Sequence, residues 1–234
     1  RRKNENRAVF AQLQYDFTPA FSASVEARWA EDEKEVLGAS SRPAKETFSS
    51  FTPRLSLQYQ LTKDWMLYGL VAEGNKPGDF NTALYSRALA NDATFASLSA
   101  QGLDRVAEEE QRTYELGAKG SMLDGRIAGS FDVFYISWFD QALTRSIDVV
   151  SAAGVRGLAQ VLVNAGKSHV VGTELEVSAK PVDHLTLSLA YGLARAVLDE
   201  YNDDDIAIAT GVTDPLLLNG GNARGRALPF APKH

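Results

Sequence analysis

The densest set of chemistry-bearing side chains is Asp199-Glu200 followed by Asp203-Asp204-Asp205. Carboxylates this close together could hold Ca²⁺, but the alternate-ligand spacing and fixed glycine of a calcium loop are missing. A solvated acidic loop is the plainer reading. Gly220-Gly221-Asn222-Ala223-Arg224-Gly225-Arg226 has the composition of a phosphate-binding loop. No helical pattern follows to supply N-terminal N–H groups, so it reads as a loop returning to a strand. Glu108-Glu109-Glu110 reads as a solvated loop end. His169 opens a strand, His184 falls in a turn and His234 is terminal. They are too scattered for a metal cluster, and each reads as structural or solvated. The chain has no cysteine, which removes disulfides, thiolate metal sites and cysteine nucleophiles. G-x-S-x-G, H-E-x-x-H and P-loop motifs are absent. No acid, base and nucleophile set assembles, so an enzyme is the least supported class and no cofactor is implied.

A second group of charges follows a rule of spacing. Glu26, Arg28, Arg54, Glu115, Lys119, Asp132, Glu174 and Glu176 sit at alternate positions within apolar stretches. On a strand this puts them on one face and the apolar residues on the other. Val9, Ala11, Leu13, Tyr15 and Phe17 alternate with polar residues, as do Phe21, Ala23, Val25, Ala27 and Trp29. The same period runs through 51–61, 113–119, 171–180 and 185–193. Helical periodicity is nowhere convincing. The pattern predicts an all-β, antiparallel chain of about eight strands and the start of a ninth, Arg226–His234.

The connections have an order of their own. Tight links at Thr18-Pro19, 62–64, 121–125 and 181–184 alternate with long polar segments at roughly 31–47, 75–110, 141–160 and 198–226. One end of the sheet therefore carries tight turns and the other long loops, as in outer-membrane barrels. A strand of about ten residues tilted near 45° covers roughly 24 Å, close to the apolar band of such a barrel. Tyr15, Phe17 and Phe21, then Tyr59 and Trp65, flank the first two tight turns, and Trp29 lies at a loop end. These are girdle positions. A soluble β-sandwich could also place aromatics near turns, but it has no reason to sort its loops by length.

No run approaches the roughly 18 apolar residues of a membrane helix, which excludes a helical membrane protein but not a barrel. A net charge of −6 gives no basic face for nucleic acid. A charge facing lipid costs about 2–4 kcal/mol at the midplane, so alternation assigns the eight charges to the lumen. There they could face water, one another or a plug, or form a polar wall with no specific role. An open edge in lipid leaves backbone groups unpaired, so these strands close on themselves or belong to a larger barrel. The polar inner face and long loops favour the wide barrel.

Three successive stretches carry a resemblance. Residues 51–82, FTPRLSLQYQLTKDWMLYGLVAEGNKPGDFNT, resemble the barrel of TonB-dependent outer-membrane receptors, with their Asp-Trp turn and GxKPGxFN exit. Residues 108–141 look like the family's next hairpin, and 163–196 like the one after, with its NAG and GxExE elements. LPFAPKH is similar to the start of a later strand. The resemblance implies a 22-stranded barrel in the bacterial outer membrane, of which 1–234 is one part. An N-terminal plug, the TonB box and the closing strands would lie outside this chain. It also implies active transport driven by TonB, with ferric siderophore the expected cargo and cobalamin, haem or a glycan as alternatives. Outer-membrane lipid is the surrounding partner. A passive porin and a soluble β-sandwich binding module are the competing readings.

The exit Gly74-Asn75-Lys76-Pro77-Gly78-Asp79-Phe80-Asn81 follows a run, Trp65–Ala72, with apolar residues on both faces. Gly74 and Gly78 are expected to turn the backbone, and Pro77 to stop pairing by removing a donor. Asn75 and Asp79 stand where the family often has an aromatic and a glycine.

Overall fold

The computed structural model describes residues 2–37, 41–201 and 224–228. Eight long strands form one antiparallel sheet in which each pairs with its neighbour in sequence. They are β1 (Arg2–Thr18), β2 (Phe21–Val36), β3 (Ala44–Gln60), β4 (Trp65–Lys76), β7 (Glu109–Met122), β8 (Ile127–Val150), β9 (Arg156–Val182) and β10 (Leu185–Tyr201). A two-stranded ribbon of β5 (Asp79–Phe80) and β6 (Arg105–Val106) lies between β4 and β7, with the short helices α1 (Thr82–Tyr85) and α2 (Asp92–Ala100). No helix among the described residues is long and apolar enough to cross a membrane. The expected ninth strand is seen at its start, where Ala227 bridges to Val197. Residues 229–234, including His234, lie outside the described residues, as do Asp203-Asp204-Asp205 and Gly220–Ala223.

Register converts alternation into two faces. On one, Trp29 sits opposite Phe51 and Val25 opposite Leu55. The same face continues through Val71 and Tyr114, Tyr114 and Tyr135, and Tyr135 and Val171. It ends at β10 with Leu187, Leu189, Tyr191 and Leu193, and these side chains stay exposed. A sheet that leaves so many Leu, Val and aromatic residues uncovered has lipid, not water, as its solvent. Beside the first tight turn Tyr15 meets Phe17 edge-on and Phe17 stacks on Phe21, at 4.9 and 5.4 Å between ring centroids.

The tight ends agree with the sequence. Leu123, Asp124 and Gly125 all have positive φ in the turn between β7 and β8, and His184 has φ 70° between β9 and β10. The other end corrects it. The segments expected as long loops at 31–47 and 141–160 are mostly strand: β2 runs to Val36, β3 starts at Ala44, and only 151–155 separate β8 from β9. At 24 residues β8 is about 80 Å long, or near 58 Å in height when tilted, against an apolar band about 25 Å tall. The β8–β9 hairpin therefore stands well clear of the membrane. Pairing above the band continues because backbone groups still need partners, although alternation there weakens. The segment 75–110 departs from all-β expectation by holding both helices.

Candidate functional site

Two regions follow from this frame: the charged face of the sheet, and a folded cap at its far end.

The eight alternating charges all fall on strands of the sheet, on the face opposite the exposed apolar one. Glu26 is directly across from Arg54, with 3.9 Å between Oε2 and Nη1. Arg28 lies two positions further along β2, across from Thr52. Asp132 faces Glu174 across β8 and β9. Glu115 and Lys119 lie on β7, and Glu176 lies across from Ser130. A residue not singled out from sequence joins this group. Tyr68 on β4 donates its hydroxyl to Glu115 Oε1 at 2.7 Å, and Lys119 Nζ sits 5.0 Å from its ring centroid. Its register partner is Gly117, where a Cβ would lie 2.6 Å from the Tyr68 ring. A large polar aromatic opposite a strand glycine was the available signal. This part of the face is acidic: Glu115, Asp132, Glu174 and Glu176 share it with Lys119. Such a surface attracts cationic groups and orders water.

A bulge prepares the cap. Asp140, at φ 51°, breaks the β8–β9 register between Trp138 and Gln141. The extra residue reverses the alternation of β8. Below the bulge Phe131 is 50% exposed on the apolar face; above it Ile147 and Val149 are 8% and 4% exposed. They pack with Ala159 and Val161 against Leu84 and Leu98 of the helices. Val36, Phe80 and Tyr85 make a second small core, with Phe95 touching both. Residues 77–108 are thus a folded platform joined to β2, β8 and β9 through two shared apolar cores.

Polar anchors fasten the platform. Asn81 Nδ2 donates to the carbonyls of Leu103 and Leu162 at 2.9 and 2.8 Å, while its Oδ1 accepts from Leu162 N–H at 2.8 Å. Asn164 does the same for Ala107, at 2.7 Å from its N–H and 3.1 Å to its carbonyl. Arg42 reaches the carbonyls of Leu84 and Ala90 and the carboxylate of Asp92, with its guanidinium 4.4 Å from the Phe95 ring centroid. Tyr85 donates to Asp104 Oδ2 at 2.9 Å. Burial, then this hydrogen bond, pushes the Tyr85 hydroxyl well above its usual pKa.

The exit motif is part of these anchors, and two expectations change. Gly74 does not turn the chain: β4 stays paired through Asn75–Glu110 and Lys76–Glu109, and Pro77 ends the ladder. Nothing would lie within 4 Å of a Cβ at Gly74. Gly78 is needed for close approach instead, since a Cβ there would sit 2.4 Å from Phe48 and 2.5 Å from the Val106 carbonyl oxygen. Asn75 donates to Glu108, Lys76 pairs with buried Glu109, and Asp79 pairs with Arg2 at 3.1 Å and Lys34 at 3.6 Å. Two residues of the triplet expected as a solvated loop end are therefore engaged, Glu108 and the 3% exposed Glu109, while Glu110 is exposed as expected. Phe80 is buried against Tyr85. His169 does not open a strand: it lies inside β9, with Nδ1 2.7 Å from Asp199 Oδ1 and its ring stacked on Tyr135. Glu200 sits 3.6 Å from Lys167. The two described acids of the candidate calcium cluster thus have side-chain partners of their own. Among the described residues no group of three or more His, Asp or Glu is placed to hold a metal.

Comparison with known proteins places this architecture. The family model "TonB dependent receptor-like, beta-barrel" matches residues 1–234. The pesticin receptor of Yersinia enterocolitica is 26% identical over 181 residues, covering 74% of this chain and 23% of that protein. The crystal structure of the ferric yersiniabactin uptake receptor FyuA from Yersinia pestis superposes on 99% of the chain with a TM-score of 0.66 and 21% identity, spanning 30% of its own length. The ferripyoverdine receptor of Pseudomonas aeruginosa gives a TM-score of 0.60 at 17% identity over 85% of the chain and 23% of its own. The chain spans between a fifth and a third of these relatives.

Proposed function

The chain belongs to the TonB-dependent receptor family of outer-membrane β-barrels, and on that premise we propose that it is part of an active importer of a scarce ligand, with ferric siderophore the cargo. Residues 1–234 form part of one barrel domain, and the remainder of the receptor supplies the plug and the segment that contacts TonB. The observation that supports it is one charged sheet face combined with a packed platform of helices and ribbon seated on the far ends of β2, β8 and β9. A barrel that only lets solutes diffuse needs an open polar channel, whereas a receptor needs a shaped outer surface above a plugged lumen.

In this reading Glu26, Arg28, Arg54, Glu115, Lys119, Asp132, Glu174 and Glu176 face the lumen and contact the plug. The exit from Gly74 to Asn81 sets the height and orientation of the platform over it. Relatives whose names specify ferric yersiniabactin and ferripyoverdine motivate the cargo. The test is deletion of the intact gene in its own host, followed by growth and radioiron uptake under iron limitation with a panel of ferric siderophores. Loss of uptake for one siderophore, restored by the gene, supports the reading. Unchanged iron uptake across the panel removes the siderophore cargo.

A further inference from the structure

Beyond Asp140 the β8–β9 pair continues as a two-stranded arm, residues 141–164, paired from Ala142 and Asn164 to Val150 and Arg156. Among the described residues neither neighbouring strand follows it. β7 stops pairing with β8 at Glu110 and Phe139, and β10 stops pairing with β9 at Tyr201 and Gly166. At the root of the arm the ladder is broken twice. Between the Trp138–Ser168 and Ala142–Asn164 pairs lies one register pair, Gln141 and Gly166. β8 has an extra residue below that pair and β9 has one above it. Asp140 is left-handed there, at φ 51°. Gly166 has no room for a side chain, since a Cβ would lie 2.9 Å from Leu143 Cδ1. Bulges on both strands leave little pairing to resist a bend at this point.

The arm is held by the platform. One of its faces, with Ile147, Val149, Ala159 and Val161, packs on Leu84 and Leu98. The other face, with Ser146, Asp148, Leu158 and Gln160, is exposed. The platform also bonds to both strands of the arm. Asn91 N–H donates to the Val150 carbonyl at 2.7 Å, and Asn81 pairs with the Leu162 backbone. The platform has a separate hold on β2, through the core of Val36, Phe80 and Tyr85. Arg42 adds its hydrogen bonds to the carbonyls of Leu84 and Ala90. The arm can therefore leave while the platform keeps its seat on β2.

We infer that residues 141–164 are a hinged arm, shut onto Leu84 and Leu98 and able to lift as a unit about the Gln141–Gly166 pair. The contacts that shut it all lie within this chain, so the closed position needs no ligand. Lifting uncovers Leu84 and Leu98 beside Phe95, an apolar surface that the docked arm withholds. A hinge at a few residues between two packed bodies is a common basis for such a switch. The inference rests on the strand pairing and packing described above, and on no particular cargo.

The test uses the full-length receptor in detergent, with spin labels attached through Ser146→Cys and Ala96→Cys, both at exposed positions. Pulsed electron–electron resonance reads the distance from arm to platform, and hydrogen exchange reads the strands. Heat-modifiable gel mobility confirms folding of every variant compared. Ala159 and Leu158 are adjacent on opposite faces of the arm, 5% and 70% exposed. Ala159→Asp therefore puts a carboxylate into the docking contact, whereas Leu158→Asp meets water. The expected result is one short distance in the labelled parent and in Leu158→Asp, and a second, longer distance in Ala159→Asp. Exchange in Ala159→Asp should rise about tenfold or more across 142–163, because an undocked two-stranded ribbon is marginally stable, and stay unchanged across 127–138. An unshifted distance in Ala159→Asp overturns the proposal, because the bend alone would then hold the arm. A rise in exchange that spreads below the bulge overturns it too, as does an equal response to both substitutions.

Discussion

The side chain of Asn81 closes a two-bond ring with the backbone of Leu162, donating to its carbonyl and accepting from its N–H, both at 2.8 Å. A side-chain amide here acts as a peptide group, adding a pairing partner to a β9 residue that already sits across from Thr144 of β8. Asn81 is 6% exposed, so its partners have little access to water. Asn81→Ala is expected to release the platform at a cost of about 1–3 kcal/mol, from the unpaired groups it leaves. Hydrogen exchange should rise across 82–106 and at Leu162, with the exchange of β3 and β4 unchanged.

The two glycines of the exit should behave oppositely. Gly74→Ala meets open space within a paired strand and is expected to be neutral or stabilising by a few tenths of a kcal/mol, since it lowers unfolded-state entropy. Gly78→Ala drives a methyl into the Val106 carbonyl and the Phe48 ring, and should cost about 1–3 kcal/mol. Unfolding temperatures of the two variants in the same detergent decide this.

Face assignment predicts an asymmetry between adjacent residues of β7. Leu116 is 63% exposed on the apolar face, while Glu115 on the opposite face accepts from Tyr68. Leu116→Arg should destabilise the barrel by about 2–4 kcal/mol near the midplane. Glu115→Gln keeps an acceptor for Tyr68 and should cost well under half of that. Denaturant titration of the full barrel in phospholipid vesicles measures both. Equal costs would mean that the faces are reversed or that neither meets lipid.

Tyr85 gives the platform an alkaline limit. Its hydroxyl pKa is raised in the folded state by burial and by donation to Asp104. A raised folded value means the stabilisation is complete below the unfolded tyrosine pKa, near 10, and is lost as pH rises through the folded value. Protection of platform amides should therefore fall above pH of about 10 in the wild type. In Tyr85→Phe that pH dependence should vanish.

Much of the barrel was legible because lipid on one face and water or protein on the other enforce period-two alternation. The strand from Phe51 to Leu61 and the wall charges Glu115 and Glu174 stand out for that reason. Legibility failed above the membrane. Glu31–Val36 and Gln141–Val150 read as loop because both faces there meet polar surroundings or an irregular cap, yet they pair as strand. The bulge at Asp140 also swaps the faces of Ile147 and Val149, which no fixed period anticipates. Helix α2 has almost no amphipathic signal. The available sign was Asn91, whose side chain accepts from Thr94 N–H as an N-cap. Asn81 and Asn164 stood out only as parts of the exit motif and the NAG element, and their anchoring role was hidden because their partners are backbone groups far along the chain.

The central claim, import powered through TonB, is tested most directly by the energy dependence of uptake. Cells carrying the complete receptor would be given its radioiron-labelled ferric siderophore with and without TonB. The account predicts binding at the cell surface in both strains and accumulation only where TonB is present. Accumulation at the same rate without TonB would contradict it and identify a passive pore.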